Sequence, residues 1–169
     1  IEKAIKSKCF SKVIVSTDDK EISNLAKLYG AKVPSLRPKE LSDDLTGTLD
    51  VIKFVINNLN EEINYVCCLY ATAPLFLVND LIKSYEQLKL FNDDSLLFTA
   101  TNYDYPIQRA FIIDNSKKAN MIEKDFLFTR SQDLEKTFHD AGQFYWGKKD
   151  TWLVAKNMID NNKAYFLPR

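Results

Sequence analysis

The sequence predicts an α/β fold in which helices cover both faces of a mostly parallel sheet, and three observations point to it. Short, nearly continuous apolar runs alternate with segments whose apolar residues fall at helical spacing. Strands that lack polar alternation are those buried on both faces. The apolar runs are themselves short, as strands set between covering helices are. With 169 residues, 46% hydrophobic and 12% aromatic, the chain can bury one real core, so a single Rossmann-like α/β/α domain over residues 1–169 is expected.

Taken in order, Ile1 to Lys6 has helical spacing with no initiator Met, which suggests that residues precede it. Lys12 to Ser16 is a buried-strand candidate. Asp19 to Tyr29 places Ile22, Leu25, Ala26 and Tyr29 on one helical face; Asp18-x-x-Glu21 resembles a capping box and Gly30 a C-terminal stop. A strand over Ala31 to Leu36 leads into a loop from Arg37 to Gly47, then a helix from about Thr48 to Leu59. The strand Asn64 to Tyr70 is followed by the turn Ala71-Thr72-Ala73-Pro74 and a helix over Asn79 to Leu90. Ser95 to Thr101 is strand-like. Between Tyr103 and Glu135 the alternation breaks; Gln108 to Ile113 and Lys124 to Thr129 could form a small hairpin or arm that covers a site or reaches a partner subunit. Thr151 to Asn161 reads as a helix and Lys163 to Leu167 as a strand.

Charge and composition narrow the function. Lys plus Arg equals Asp plus Glu at 23 each, leaving no basic excess for a nucleic-acid backbone or an anionic membrane. The apolar runs fall far short of the roughly 20 residues that span a bilayer, and the N-terminus has no signal-peptide pattern, so a cytoplasmic protein with a small-molecule partner is expected. Cys9, Cys67 and Cys68 have neither disulfide-framework nor metal-ligand spacing; the adjacent pair reads as small buried residues on opposite faces of a strand.

Two stretches read as a surface for a polar ligand: Arg130-Ser131-Gln132-Asp133-Leu134-Glu135 and His139-Asp140-Ala141-Gly142-Gln143-Phe144-Tyr145-Trp146, which gather a guanidinium, amides, carboxylates, the only imidazole and three aromatics. In open α/β sheets, ligands bind beyond the carboxyl ends of strands. Three segments sit there. In Val15-Ser16-Thr17-Asp18-Asp19 the acidic residues suit a helix cap. In the loop Leu36 to Thr48, Arg37 suits a phosphate or base, and Thr46 and Thr48 with the helix-start N–H groups suit an anion or sugar hydroxyls; the other reading is a surface loop with Thr as N-cap. Leu69 to Pro74 is either a close backbone approach to a ligand or a plain strand-to-helix turn.

Taken together, Val15-Ser16-Thr17-Asp18-Asp19-x-Glu21-Ile22, Gly30-Ala31-Lys32-Val33, Arg37-Pro38-x-Glu40-Leu41-x-x-Asp44 and Leu69-Tyr70-Ala71-Thr72-Ala73-Pro74-Leu75 resemble successive blocks of the CMP-sialic acid synthetase (acylneuraminate cytidylyltransferase) family. Pro106-Ile107-Gln108-Arg109-Ala110 and the two polar stretches above are similar to its pseudaminic acid branch. The resemblance implies a nucleotidyltransferase fold and transfer of CMP from CTP to the anomeric hydroxyl of pseudaminic acid, a nine-carbon acidic sugar, with release of pyrophosphate, for surface glycan or flagellin glycosylation. It further implies Mg²⁺ and a homodimer formed through the 103–135 arm. Arg37, Thr46 and Thr48 would hold the nucleotide; Tyr70, Gln108, Arg109, Arg130, Gln132, Asp140 and Gln143 would hold the sugar, with Tyr70 standing where the sialic acid enzymes carry Gln. Asp133 and Glu135 suit structural pairing with nearby basic residues, and His139 suits a structural role as well as that of a base. No catalytic residue is assigned.

Two departures from the family pattern stand out. A glycine- and lysine-bearing loop of the type Ala-Arg-Gly-Gly-Ser-Lys does not occur among residues 1–169, which contain 4 glycines, and the Asp-x-Asp block that binds metal would follow Pro168-Arg169. The expectation is a chain cut at both ends that holds the acceptor half of the site, its Mg²⁺ ligands lying elsewhere. The competing expectation is a noncatalytic sugar- or nucleotide-binding module, or a truncated remnant.

Overall fold

The computed structural model describes residues 1–167. Its elements are α1 (Glu2–Ser7), α2 (Lys20–Leu28), α3 (Thr48–Asn57), β1 (Tyr65–Leu69), α4 (Val78–Lys89), β2 (Leu97–Asn102), β3 (Phe111–Ile113), β4 (Ala119–Met121), β5 (Phe138–Lys148), α5 (Lys149–Val154) and β6 (Lys163–Phe166). A four-stranded sheet has the order β1-β5-β2-β6, and β3 pairs with β4 separately. The β1–β5 pair is antiparallel, with Tyr65 opposite Lys148 and Leu69 opposite Phe144, so the sheet is mixed. Chain contacts divide the described residues into two compact units, residues 1–99 with 142–165, and residues 100–141 with 166–167.

In the first unit, alternation along β5 sends Phe144 and Trp146 to one face of the sheet and Tyr145 and Gly147 to the other. On the first face, Phe144 and Trp146 pack with Leu97, Phe76 and the α4 residues Leu81 and Leu88. Trp146 is sandwiched between Phe10 and Tyr85, ring centroids 5.1 and 5.0 Å away, and its indole N–H donates to the buried Ser84 hydroxyl at 3.0 Å. On the other face Trp152 of α5 donates to the Val66 carbonyl at 3.1 Å, and α5 packs on α3. The expectation of helices on both faces therefore holds.

The segments 12–16 and 31–36 are extended but form only one parallel bridge, Ile14 to Lys32. Lys32 N–H donates to Val13 O and Val15 N–H to Lys32 O; the next donor on that edge would be residue 34, a proline with no N–H, which ends the ladder. Val13 and Val15 instead join Ala26, Ala31 and Val33 in a small satellite core. Asp19 rather than Asp18 caps α2, accepting from Glu21 and Ile22 N–H groups at 2.7 and 2.8 Å. Gly30 stops the helix at φ +88°, a left-handed conformation that glycine adopts without strain.

Three expectations need correction. The helix expected over 151–161 is α5, Lys149–Val154 only; beyond it Asn157 accepts from Ile159 N–H at 2.9 Å, a local side-chain bond that competes with helix. In the second unit the hairpin partner of Phe111–Ile113 is Ala119–Met121, while Lys124–Phe126 is a 3₁₀ turn. Asp114 closes the hairpin early, accepting from the N–H groups of Ser116 and Lys118 at 2.9 and 3.0 Å, and the Ser116 hydroxyl and these N–H bonds hold its carboxyl below the usual range. Finally, residues 139–146, read as part of a polar ligand surface, lie within β5, the longest strand among the described residues; Phe144, Tyr145 and Trp146 are core side chains at 1%, 0% and 1% exposure.

Candidate functional site

The loop after residue 36 is built to present Arg37. Its backbone N–H donates to the Thr17 carbonyl at 2.8 Å, its Nε donates to the Ser42 hydroxyl at 3.0 Å, and its guanidinium lies 3.5 Å from the Asp18 carboxylate. Ser42 in turn donates to the Pro38 carbonyl at 2.9 Å, so the guanidinium is oriented by its own loop. Asp43 closes the distal turn, accepting from the Thr46 N–H and hydroxyl, each at 2.7 Å, and from Leu45 N–H at 3.1 Å. Those bonds, led by the Thr46 hydroxyl, hold its carboxyl below the usual range. The Thr46 hydroxyl thus shapes the loop.

No threonine caps α3. Gly47 is the N-cap and offers no side chain, leaving Thr48 at the first helical position. The Thr48 hydroxyl is thereby free to reach the Tyr70 hydroxyl at 3.2 Å. Tyr70 follows β1 directly, and its N–H donates to the Gln143 carbonyl at 3.0 Å, extending the β1–β5 register by one rung. Its ring lies 5.1 Å from that of the fully buried Tyr145. Gln143 N–H is received by the Thr99 hydroxyl at 3.2 Å, whereas the side-chain Oε1 of Gln143 is buried without a hydrogen-bond partner. Thr48, Tyr70 and Gln143 therefore meet at the carboxyl end of β1, where ligands are expected in such sheets.

Gln108, Arg109, Arg130, Gln132 and Asp140 belong to the second unit. Gln108 Nε2 donates to the Glu135 carbonyl at 3.0 Å, and Arg109 reaches the Ser131 hydroxyl at 3.5 Å, so the Pro106–Ala110 and Arg130–Glu135 blocks are tied together. The second carboxamide atom of Gln108, Oε1, is buried and unpartnered. Arg130 is paired with Asp133 at 2.6 Å, both exposed, which is the structural pairing expected of Asp133. Gln132 is exposed and Asp140 half-buried. His139 has Nδ1 2.8 Å from the Asp140 carbonyl and its ring 4.7 Å from that of Tyr103, a partnered histidine.

Sequence reasoning missed two contributors. Ser42 orients Arg37, and Thr99, fully buried, receives the N–H groups of Gln143 and Phe144 at 3.2 and 3.4 Å. A hydroxyl amid Leu96-Leu97-Phe98 and Ala100 was the available signal, since a polar atom in a buried strand needs a partner. The adjacent cysteines, expected to be buried, are half-buried residues whose thiols are desolvated: this pushes Cys67 well up and Cys68 up to about 12. Among the described residues no three His, Cys, Asp or Glu side chains converge as metal ligands, and no helix is long and apolar enough to cross a membrane. A concavity of about 620 Å³ lined by Lys12, Lys27, Lys32 and Glu61 among others includes none of the candidate residues.

Comparison with known proteins bears on this arrangement. The family profile for cytidylyltransferases matches residues 1–162. A pseudaminic acid cytidylyltransferase of Campylobacter jejuni is 42% identical over 173 residues, covering 100% of this chain and 74% of that protein. A Helicobacter pylori protein named as both pseudaminic acid cytidylyltransferase and UDP-2,4-diacetamido-2,4,6-trideoxy-beta-L-altropyranose hydrolase is 35% identical over 163 residues, covering 96% of this chain and 31% of that one. Among solved structures, a CMP:2-keto-3-deoxy-manno-octonic acid synthetase complexed with CTP superposes with a TM-score of 0.67 at 12% identity, over 98% of this chain and 76% of the other; that likeness speaks to the fold. With the fold, the match over nearly the whole chain and the polar cluster at the carboxyl end of β1 in agreement, the chain belongs to the cytidylyltransferase family.

Proposed function

We propose that this protein transfers CMP from CTP to pseudaminic acid with release of pyrophosphate. The anomeric hydroxyl oxygen of the sugar attacks the α-phosphorus of CTP, the bond from that phosphorus to the bridging oxygen of pyrophosphate breaks, and the hydroxyl proton is lost. The observation that carries the reading is the cluster of Thr48, Tyr70 and Gln143 at the carboxyl end of β1, in a chain 42% identical over its length to a pseudaminic acid cytidylyltransferase. Catalysis of this kind is mostly positioning and charge neutralisation.

In this reading Arg37, held by Ser42 and Asp18, binds the nucleotide as a pre-oriented cation. Thr48 contributes its hydroxyl and the uncapped N–H groups of the first turn of α3, and Thr46 keeps the loop closed. Tyr70 and Gln143 face the sugar. Gln108, Arg109, Arg130, Gln132 and Asp140 supply the donors and acceptors that a carboxylate and amide substituents require. The resemblance also brings Mg²⁺; the described residues do not form a metal cage, and the roles above do not depend on one. The arm over 103–135, with Phe111, Ile112, Ile113 and Phe128 between 56% and 93% exposed, is the surface through which a homodimer would form, and a cytoplasmic location fits a route that consumes CTP.

The test is pyrophosphate release from CTP and Mg²⁺ with pseudaminic, legionaminic or N-acetylneuraminic acid, using this chain and the protein expressed from its complete reading frame. Turnover with pseudaminic acid supports the reading. No turnover of any sugar by either protein refutes it in favour of a noncatalytic binding module.

A further inference from the structure

The backbone of Gln143 is fully engaged, its N–H on the Thr99 hydroxyl at 3.2 Å and its carbonyl receiving Tyr70 N–H at 3.0 Å. The start of its side chain is therefore fixed. Alternation along β5 places that side chain on the Tyr145 face, away from the core formed by Phe144 and Trp146. Tyr70 occupies the same face, its ring against Tyr145 and its hydroxyl at Thr48. Within this polar corner the Thr48 and Tyr70 hydroxyls face one another, whereas Gln143 Oε1 is buried and has no partner. Folding a protein around an unpaired acceptor destabilises it, so such an atom in a native structure calls for an explanation. A substrate donor supplies one.

We propose that Gln143 is a specificity-determining residue whose side-chain carbonyl oxygen accepts a hydrogen bond from an acylamino N–H of the acceptor sugar. The inference rests on the function proposed above and assigns a substrate group to one of its residues. A carbonyl oxygen can only accept, which selects an N–H or O–H donor. The acylamino group matches the diacetamido sugar named for the fused hydrolase of the Helicobacter pylori relative. A site that buries an acceptor for one substrate group rejects analogues lacking the donor, because the acceptor is then left unpaired.

The experiment compares wild-type protein from the complete reading frame with Gln143→Met, which keeps length and removes the polar end, and Gln143→Glu, which keeps an acceptor in the same place. For Gln143→Met, KM for pseudaminic acid is expected to rise roughly three- to tenfold, the loss of one neutral hydrogen bond. KM for CTP stays unchanged, and Tm is equal to or above wild type because the unpaired atom is gone. Gln143→Glu recovers part of the sugar affinity. A pseudaminic acid analogue with ester oxygen in place of the acylamino N–H weakens wild type by a similar factor and Gln143→Met no further. An unchanged sugar KM in Gln143→Met, a rise in the CTP KM instead, or a lowered Tm with both constants shifted overturns the inference while leaving the proposed function standing. Absence of any CMP-sugar from wild type overturns both.

Discussion

Replacing Gly147 by alanine tests whether the β1–β5 seam, which positions Tyr70 and Gln143, is as tightly packed as it looks. Gly147 lies opposite Val66 in that seam. A Cβ there would stand 2.4 Å from Leu96 Cδ2, 2.9 Å from Trp152 Nε1 and 3.1 Å from Trp152 Cδ1. Neither neighbour can yield freely: Leu96 and Trp152 are both 0% exposed, and the Trp152 indole N–H is held by the Val66 carbonyl at 3.1 Å. Overpacking of this kind costs about 1–3 kcal/mol, and displacing the indole from Val66 would add about 1 kcal/mol for a neutral hydrogen bond. The sum is a loss of roughly 2–4 kcal/mol, or a fall in Tm of about 4–16 °C for a chain of this length. Urea unfolding followed by circular dichroism measures it, with an unchanged m-value showing that the native state itself was destabilised. A loss below about 0.5 kcal/mol, the usual range of an indifferent substitution, would refute the packing argument.

Three further outcomes are expected. Arg37→Ala should raise KM for CTP by roughly tenfold or more, as for loss of a charge-assisted contact; Tm should hardly move, because the Asp18 ion pair it loses is half exposed and such pairs contribute little. Asp93 is bonded to Lys163 at 2.7 Å and its carboxyl is pulled down to about 2 from 3.8, with the Lys163 bond as the main cause. A lowered folded pKa means that its stabilisation is present above 3.8 and is lost as pH falls toward 2; Asp93→Asn should flatten the stability profile over that window, and an unaltered profile would contradict the assignment. Iodoacetamide at pH 8 should leave Cys67 and Cys68 unmodified in the native protein and label both after unfolding, because burial raises both thiols and holds Cys68 near 12; mass spectrometry of the labelled peptides decides this.

Periodicity made the helices and buried strands of the first unit readable. α3 and α4 bury part of their apolar stripes through Ile52, Ile56, Leu81 and Leu88, and β2 is a short run buried over Leu97–Ala100, so there local pattern and burial agree; α2 instead buries Ser23 and Ala26 and leaves Ile22, Leu25 and Tyr29 about half exposed. β5 was hidden because His139, Asp140 and Gln143 occupy its first half ahead of the apolar Phe144–Trp146, and a strand that is polar at one end and core at the other has no single period. α5 and the β3–β4 hairpin were misplaced at their ends by Asn157 and Asp114, whose side chains bond the nearby backbone and stop or turn it. For the candidate site, Arg37 and Thr48 could be named from the sequence because they sit in a polar loop beyond a strand, whereas Tyr70 and Gln143 were named through the family resemblance. Their mutual arrangement could not: Thr48 meets Tyr70 across 22 positions and Gln143 meets Thr99 across 44. Contacts at that range depend on sheet order, which no local pattern encodes.

The two tryptophans sit on either side of the seam that carries the candidate site, and this gives the protein a built-in optical probe. Trp146, clamped between Phe10 and Tyr85, and Trp152, hydrogen-bonded to Val66, are each fixed in a chiral, water-free setting. Their near-ultraviolet circular dichroism and blue-shifted emission should follow the integrity of β1 and β5 themselves. Loosening of Phe10 would register at one indole and slippage of Val66 at the other. With the two indoles separated by Trp146→Phe and Trp152→Phe variants, the coupling between substrate binding and the order of the strand pair becomes measurable without any attached label.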